Sequence, residues 1–503
     1  MADPNVYMIY VSPVNIGASE ASYHDKFLDV LGISTLPKRL HIIVPELIHR
    51  LPLHLTLPLA LLCSPAAIRK IKAQIRRYTN AMIVTNSIGW VEKKLANLFD
   101  IPLLGPDPVV AETITSRSFL KRVFMDASVN IPLGAHDVYT LEDLLIALSR
   151  LLASNMDVRK WVFRLNSDCN NESCVLFDTL KWPLMSTLRA EQTMLIENNN
   201  NNTGAWFSRP VQLSMRKRIM QALRTDLAHR VKICRKDIYE NWEIYCRHMR
   251  KRGVVIEAEP IEKLGSVEGM CFINPGGKIS LCGGVDLCVD DNFQTQGYIA
   301  PQTLTPMPAL LGATHAIATA LFEKWSVIGF VTVKFVAFWD GLDNIPRLWA
   351  NGLQLGMSNA FSGYGTACLA MEPMNGGGSL PPSLVPQYPA GGKYYVHVPI
   401  AMHETLKGSR DDAFFKFCRL RGISFDRYVL SCLALSCLVL PSFALFCLHI
   451  FMSFCLHIIL SFCLHIFMSF CLHAALRVPV PCSSWSTRSS GVPSVSYALP
   501  HRG

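Results

Sequence analysis

The chain has 503 residues and a formal charge of +10, from 48 Lys and Arg against 38 Asp and Glu. That length allows two or three domains around a large buried core, and no Lys/Arg run is dense enough to indicate nucleic acid as a partner. The composition breaks sharply: Tyr428 to Leu476 holds no Asp, Glu, Lys or Arg, and the only charges after Asp426 are Arg427, Arg477, Arg488 and Arg502, so residues 1–427 carry +7.

A mildly basic surface remains compatible with small polyanions such as nucleotides. Met1-Ala-Asp-Pro4 lacks a basic stretch followed by an apolar one, so a secretory leader is not expected and a cytoplasmic setting is. The 17 cysteines show no CxxC pairing, and seven follow residue 430. They read as reduced residues, and the glycosylation-like triplets at Asn171 and Asn201 then carry no weight.

Residues 7–104 alternate strand and helix signals. Tyr7–Ser12 and His41–Val44 are short apolar runs, with a helical stretch near Glu20–Leu31 between them. Ser64-Pro65 predicts a helix start with serine as N-cap and proline in the first turn. Ile68, Ile71 and Ile75 then form one stripe. Ala81–Thr85 reads as a third strand, and Asn86 as the cap of a helix whose Ile88, Val91, Leu95 and Leu98 share a face. This alternation predicts a parallel sheet with helices on both sides, and no GxGxxG follows any strand.

The pattern continues through 115–165, with Phe119, Leu120, Val123 and Phe124 on one helix and a second helix over about Leu141–Leu152. Thr140 with Asp143 predicts a capping box. Trp161–Leu165 is a strand, and Asn198–Asn202 begins an Asn-rich loop that runs to 203. From Val254 onward short strands dominate: Val254–Ala258, Met270–Ile273 and Lys278–Cys282, the last two joined by Asn274-Pro-Gly-Gly277. Proline presets one turn angle there and glycine supplies the positive one, so a hairpin is expected. A helix near Gly312–Trp325 and strands at Val327–Phe338 and Arg347–Leu353 follow. The order predicts an α/β domain followed by an α+β domain that clamps a ligand.

Leu104-Gly-Pro-Asp-Pro108, Ser116-Arg-Ser-Phe-Leu-Lys121, Asn130-Ile-Pro132, Trp161–Asn166, the pair around Asn274–Gly277, Gly329–Thr332 and Leu348–Ala350 occur in a telling order. In these segments the chain resembles the ATP-grasp superfamily and, within it, the ATP-grasp-like region of the IQ-motif-containing protein H family; Tyr395–Asp426 adds to the likeness. The resemblance implies a Rossmann-like pre-ATP-grasp domain over 1–114 and an ATP-grasp-like domain over 115–427. It also implies ATP as ligand and, in active members, ligation of a carboxylate to an amine through an acyl phosphate.

Carried over by that resemblance, Lys121 and Arg164 stand where cations meet the phosphates, and Glu257-Ala258-Glu259 at the adenine hinge. The phosphate-covering loop falls in Ser167–Ser173, which has no glycine and carries Asp168 and Glu172. Lys334 stands where the superfamily places an acidic metal ligand, Gly352 where it places a second, and Asn351 as a remnant of the ligand Asn. Magnesium favours carboxylate oxygen, so lysine and glycine suit it poorly, while Lys334 could neutralise phosphate directly. The expectation is a catalytically impaired nucleotide-binding module of regulatory or scaffold type. The alternative is an active ligase drawing on Asp286, Asp340 or Asp343.

The blander readings are a surface ion pair at Arg164, a solvated Lys121, exposed strand-end carboxylates at Glu257 and Glu259, and ordinary loop or core histidines at His397 and His403. Val211–Arg216 matches the start of an IQ calmodulin-binding motif, with Lys217 and Gln221 departing from it. A partial match inside a domain reads as chance; a calmodulin-linked membrane or interaction protein is the third alternative, resting on this stretch and on the apolar tail alone.

Phe-Cys-Leu-His recurs at 446–449, 454–457, 462–465 and 470–473. Apolarity would allow a membrane helix over 428–476. Yet each copy advances by roughly 80° and about 12 Å along a helix, so the histidines form no stripe and share no metal. Translated repetitive sequence is the other reading, with 477–503 a disordered tail.

Overall fold

The computed structural model describes residues 6–15, 39–52, 55–168, 171–198, 204, 206–341, 345–371, 394–401, 423–426 and 433–439. The Glu20–Leu31 helix, the Asn-rich loop at 199–203, Asp343, His403 and the Phe-Cys-Leu-His repeats lie outside them.

Strands β1 (Met8–Val11) and β2 (Leu40–Ile43) pair in parallel, as the alternation predicts. The third strand shrinks to a parallel bridge between Ile83 and Leu103. Ile83 donates to the carbonyl of Pro102, whose own nitrogen has no hydrogen with which to extend the ladder. Helices α1 (Leu57–Leu62), α2 (Pro65–Ile75) and α3 (Trp90–Phe99) cover the pair, burying Leu61, Ile71, Leu95 and Phe99 with Ile43.

Two cap expectations are corrected. The Ser64 hydroxyl donates to Ala60 O in the preceding helix; the Glu46 carboxylate caps α2 instead, accepting from Ala66 N at 2.7 Å and Ala67 N at 3.0 Å. Helix α3 starts after Gly89 rather than Asn86, so Glu92, Leu95, Ala96 and Phe99 form the buried stripe and Leu98 faces out.

Helices α4 (Pro108–Thr115) and α5 (Arg117–Asp126) lead into a five-stranded sheet. Its strands are β3 (Gly134–Val138), β4 (Lys160–Leu165), β5 (Val175–Asp178), β6 (Lys232–Ile233) and β7 (Val254–Glu259), in the order β3-β7-β4-β5-β6. Every pairing is antiparallel, so the parallel pattern does not extend past the first segment. Trp161, Phe163 and Phe177 point to the core formed with α6 (Leu141–Ser154), α7 (Pro183–Asn198), α8 (Arg209–Arg230) and α9 (Trp242–Arg252). The capping box forms: Asp143 N donates to Thr140 Oγ1 at 3.0 Å and Thr140 N to Asp143 Oδ2 at 3.3 Å. The IQ-like stretch lies on α8, where Gln212 is buried and donates to the carbonyls of Ala153 and Trp206.

A second, antiparallel sheet contains β8 (Glu262–Ile273), β9 (Ile279–Val289), β10 (Thr295–Ala300), β11 (Gly329–Trp339) and β12 (Arg347–Leu355). With β13 (Tyr394–Ala401), β14 (Ile423–Asp426) and β15 (Leu433–Val439) its order is β12-β11-β8-β9-β10-β13-β15-β14. The Asn274–Gly277 hairpin forms as read, with Gly277 at φ +85° and Asn274 N donating to Lys278 O. One face packs on α5 and on α10 (Met307–Trp325) through Val267, Cys271, Leu310, Leu321 and Phe335. The other carries Met270, Val285 and Tyr298 against α11 (Asn359–Met371). No helix among the described residues is long and apolar enough to cross a membrane.

Candidate functional site

Alternation along β4 sends Trp161, Phe163 and Leu165 into the core and leaves Val162 and Arg164 on the opposite face. In β7, Glu257 lies opposite Val162 and so shares that face. Lys121 arrives from α5. The three side chains meet: Glu257 Oε1 accepts from Lys121 Nζ and Glu257 Oε2 from Arg164 NH1, with all three buried.

Burial alone would push the Glu257 pKa up, but Lys121, Arg164 and Arg117 outweigh it and hold it down to about 2. Glu257 is therefore ionised at neutral pH. Burial lowers the Lys121 pKa, and Glu257 works against that shift. The surface and solvated readings of these residues do not hold.

Arg117, one turn before Lys121 on the same helix, was not singled out in the sequence. Its guanidinium gives Nε to Asp168 O at 2.7 Å, NH1 to Asn351 O at 3.0 Å and NH2 to Asn171 Oδ1 at 2.9 Å. The i, i+4 spacing to Lys121 is the signal that could have found it. Asp168 is not a free repelling charge, because its carboxylate accepts from Glu172 N, Ser173 N and Ser173 Oγ. Asn171, at φ +60°, supplies the left-handed residue that a glycine would usually provide.

Lys334 lies directly across β11 from both Glu268 on β8 and Gly352 on β12. Its Nζ is 3.6 Å from Glu268 Oε1. A Cβ on Gly352 would sit 3.4 Å from Lys334 Cβ and Cδ, so the lysine stem covers the place of the absent side chain. Burial raises the pKa of Glu268, and Lys334 opposes the shift. Asn351 is the extra residue of a β-bulge, and its carbonyl is the atom engaged by Arg117. Glu259 stands apart from the buried triad and pairs with Lys263 at 2.9 Å.

Asp286 and Asp340, two of the acidic residues weighed for an active ligase, do not join this cluster. Asp286 lies opposite Val267 and so on the face covered by α5 and α10, where its Oδ2 accepts from Thr303 N at 2.7 Å and Thr303 Oγ1 at 3.0 Å. Burial pushes its pKa up to about 6 against those two bonds. Asp340 pairs with Arg347 at 2.9 Å. His397 is buried beside Tyr298, and burial pushes its pKa down to about 4. Among the described residues no three His, Cys, Asp or Glu side chains group to hold a metal.

Two antiparallel sheets, one carrying Arg164 and Glu257 with Lys121 packed on it and the other carrying the Lys334–Glu268 pair, make an ATP-grasp-like architecture. The family model described as IQCH-like, ATP-grasp matches residues 108–374, more than half of the chain, and the chain belongs to that family. IQ motif-containing protein H of Danio rerio is 27% identical over 449 residues, covering 84% of this chain and 41% of the relative. The chain thus spans less than half the length of that relative. Among solved structures, N5-carboxyaminoimidazole synthetase from Staphylococcus aureus complexed with ADP aligns at 9% identity and a TM-score of 0.45, covering 86% of this chain and 93% of that one. The biotin carboxylase domain of Hydrogenobacter thermophilus 2-oxoglutarate carboxylase, solved with MgADP, ADP and bicarbonate, aligns at 13% and 0.43, covering 80% and 76%.

Proposed function

We propose that this chain is a catalytically impaired ATP-grasp-like module that binds nucleotide without magnesium and serves a regulatory or scaffold role. In this reading residues 1–114 are the pre-ATP-grasp domain and 115–427 carry the nucleotide. The observation that supports it most is Lys334 lying opposite Gly352 and beside Glu268. An ammonium stands where a divalent ion would be held, and a fixed positive charge can meet phosphate oxygens without a metal. Arg164 and Lys121 share one carboxylate, so the triad keeps a net positive charge, and Arg164 Nε has no hydrogen-bond partner. Glu257 and Glu259 lie at the hinge edge, and Asn351 adds its carbonyl to the anchoring of Arg117.

Chemistry is a different matter. Acyl-phosphate formation needs the developing charge on the transferred phosphoryl group neutralised by metal ions, and in this reading Lys334 and Gly352 replace the carboxylates that would hold them. The test is ADP and ATP binding to the full chain and its Lys334→Ala variant. Losing one charge-assisted contact should weaken binding by about 10–100-fold. Magnesium-dependent ATP turnover that disappears in Arg164→Ala would overturn the proposal.

A further inference from the structure

The tip of the β9–β10 hairpin, Asp290–Gln294, reaches from the large sheet to the small one. Phe293 packs on Val162, Cys174 and Cys234, with Leu176 and Val289 beside it. Val162 shares the face of β4 that carries Arg164. Two cations lie over the ring, Arg164 Cζ at 5.6 Å and Lys263 Nζ at 5.3 Å from its centroid.

Phe293 reaches this place with φ +63°, a left-handed backbone that a phenylalanine seldom adopts. The tip is also tied down. Asn171 Nδ2 donates to Phe293 O at 3.2 Å, and Gln294 Nε2 donates to Asn171 O at 2.8 Å. Asn171 in turn accepts from Arg117, which places this tie one residue from the buried cation cluster. The tip is rigid in its own right, because Asp290 Oδ1 accepts from Asn292 N and Gln294 N and Asp290 O from Phe293 N.

We infer that this tip is a self-inhibitory plug: Phe293 fills the flat apolar place between the sheets that a nucleotide base would take, and a nucleotide must displace it to reach Arg164. The inference rests on the nucleotide-binding reading and assigns that site its regulation. An aromatic ring on an apolar floor, with two cations over it, is the footprint of a planar base joined to an anionic tail. Here the chain supplies the ring itself. The affinity for nucleotide is then reduced by the fraction of molecules with the plug out.

The test uses the full chain, with Phe293→Ala to remove the ring and Gln294→Ala to cut the tie without opening the apolar floor. ADP binding is measured by calorimetry, and hydrogen exchange without nucleotide is followed over 171–177 and 290–296. Both variants should bind ADP about tenfold more tightly if the plug is in place in nine molecules of ten. Both segments should also exchange faster. Weaker ADP binding by Phe293→Ala would make the ring a ligand contact and overturn the inference, as would unchanged affinity with unchanged exchange. Should none of the three proteins bind ADP while exchange still accelerates in the variants, the nucleotide reading falls and the plug contact is supported.

Discussion

Replacing Glu257 with Gln removes the negative charge between Lys121 and Arg164 while keeping the side-chain shape. Both cations are buried, and stranding a buried charge costs about 3–5 kcal/mol. The pKa gives an independent figure. Glu257 is held from its ordinary 4.5 down to about 2, and at 1.36 kcal/mol per unit this is about 3 kcal/mol. Because the folded pKa lies below the unfolded one, this stability is complete above pH 4.5 and drains away as pH falls toward 2. Glu257→Gln should therefore lower the melting temperature by roughly 4–8 °C at pH 7, for unfolding of a unit of about 300 residues. The gap to the wild type should narrow markedly at pH 3. Circular dichroism during thermal and urea unfolding measures both. A loss below about 1 kcal/mol at pH 7, or a gap independent of pH, would refute the reasoning, since stranded buried charges should cost several times that.

Three further outcomes are expected. Lys334→Glu sets a second carboxylate beside Glu268, so ADP binding in chelator should fall at least about tenfold and magnesium should recover it; equal binding in both conditions would count against Lys334 as a phosphate contact. Asp286→Asn should gain on the wild type as pH rises: the folded pKa of about 6 lies above the ordinary 3.8, so an ionisation penalty of about 3 kcal/mol grows between those values, and a gap flat from pH 4 to 7 in urea titrations would oppose this. Gly134→Ala should cost about 1–3 kcal/mol or more, because the new Cβ would lie 1.9 Å from Ile256 O and push β7 away; a melting point within 1 °C of wild type would contradict that packing.

The features legible in the sequence are those with local causes. The Thr140 capping box and the Asn274–Gly277 hairpin each depend on a few adjacent residues, and both form as read. The order of ATP-grasp-like turns was also legible, since it needs only sequence spacing. The cluster at Glu257 was not, because its partners are 136 and 93 residues away and their pairing is set by strand register and helix packing. Register likewise brings Lys334 onto Glu268 and turns Asp286 to the other face, a difference of one residue that spacing alone does not assign. Nothing in the sequence around Phe293, which stands between Asn292 and Gln294, marks it as a contact with the other sheet. The Ser64 cap failed for a similar reason: a competing acceptor, Ala60 O, lay within reach of its hydroxyl, and Glu46 took the helix end.

The reading stands or falls on whether nucleotide binds without a divalent ion. The most direct measurement is calorimetric titration of ADP into the full chain, once with magnesium and once with excess chelator. Equal affinity within about twofold is the predicted result, because the proposal gives Lys334, opposite Gly352, the role a metal ion would otherwise have. A loss of tenfold or more on chelation, or no heat of binding in either condition, would contradict it.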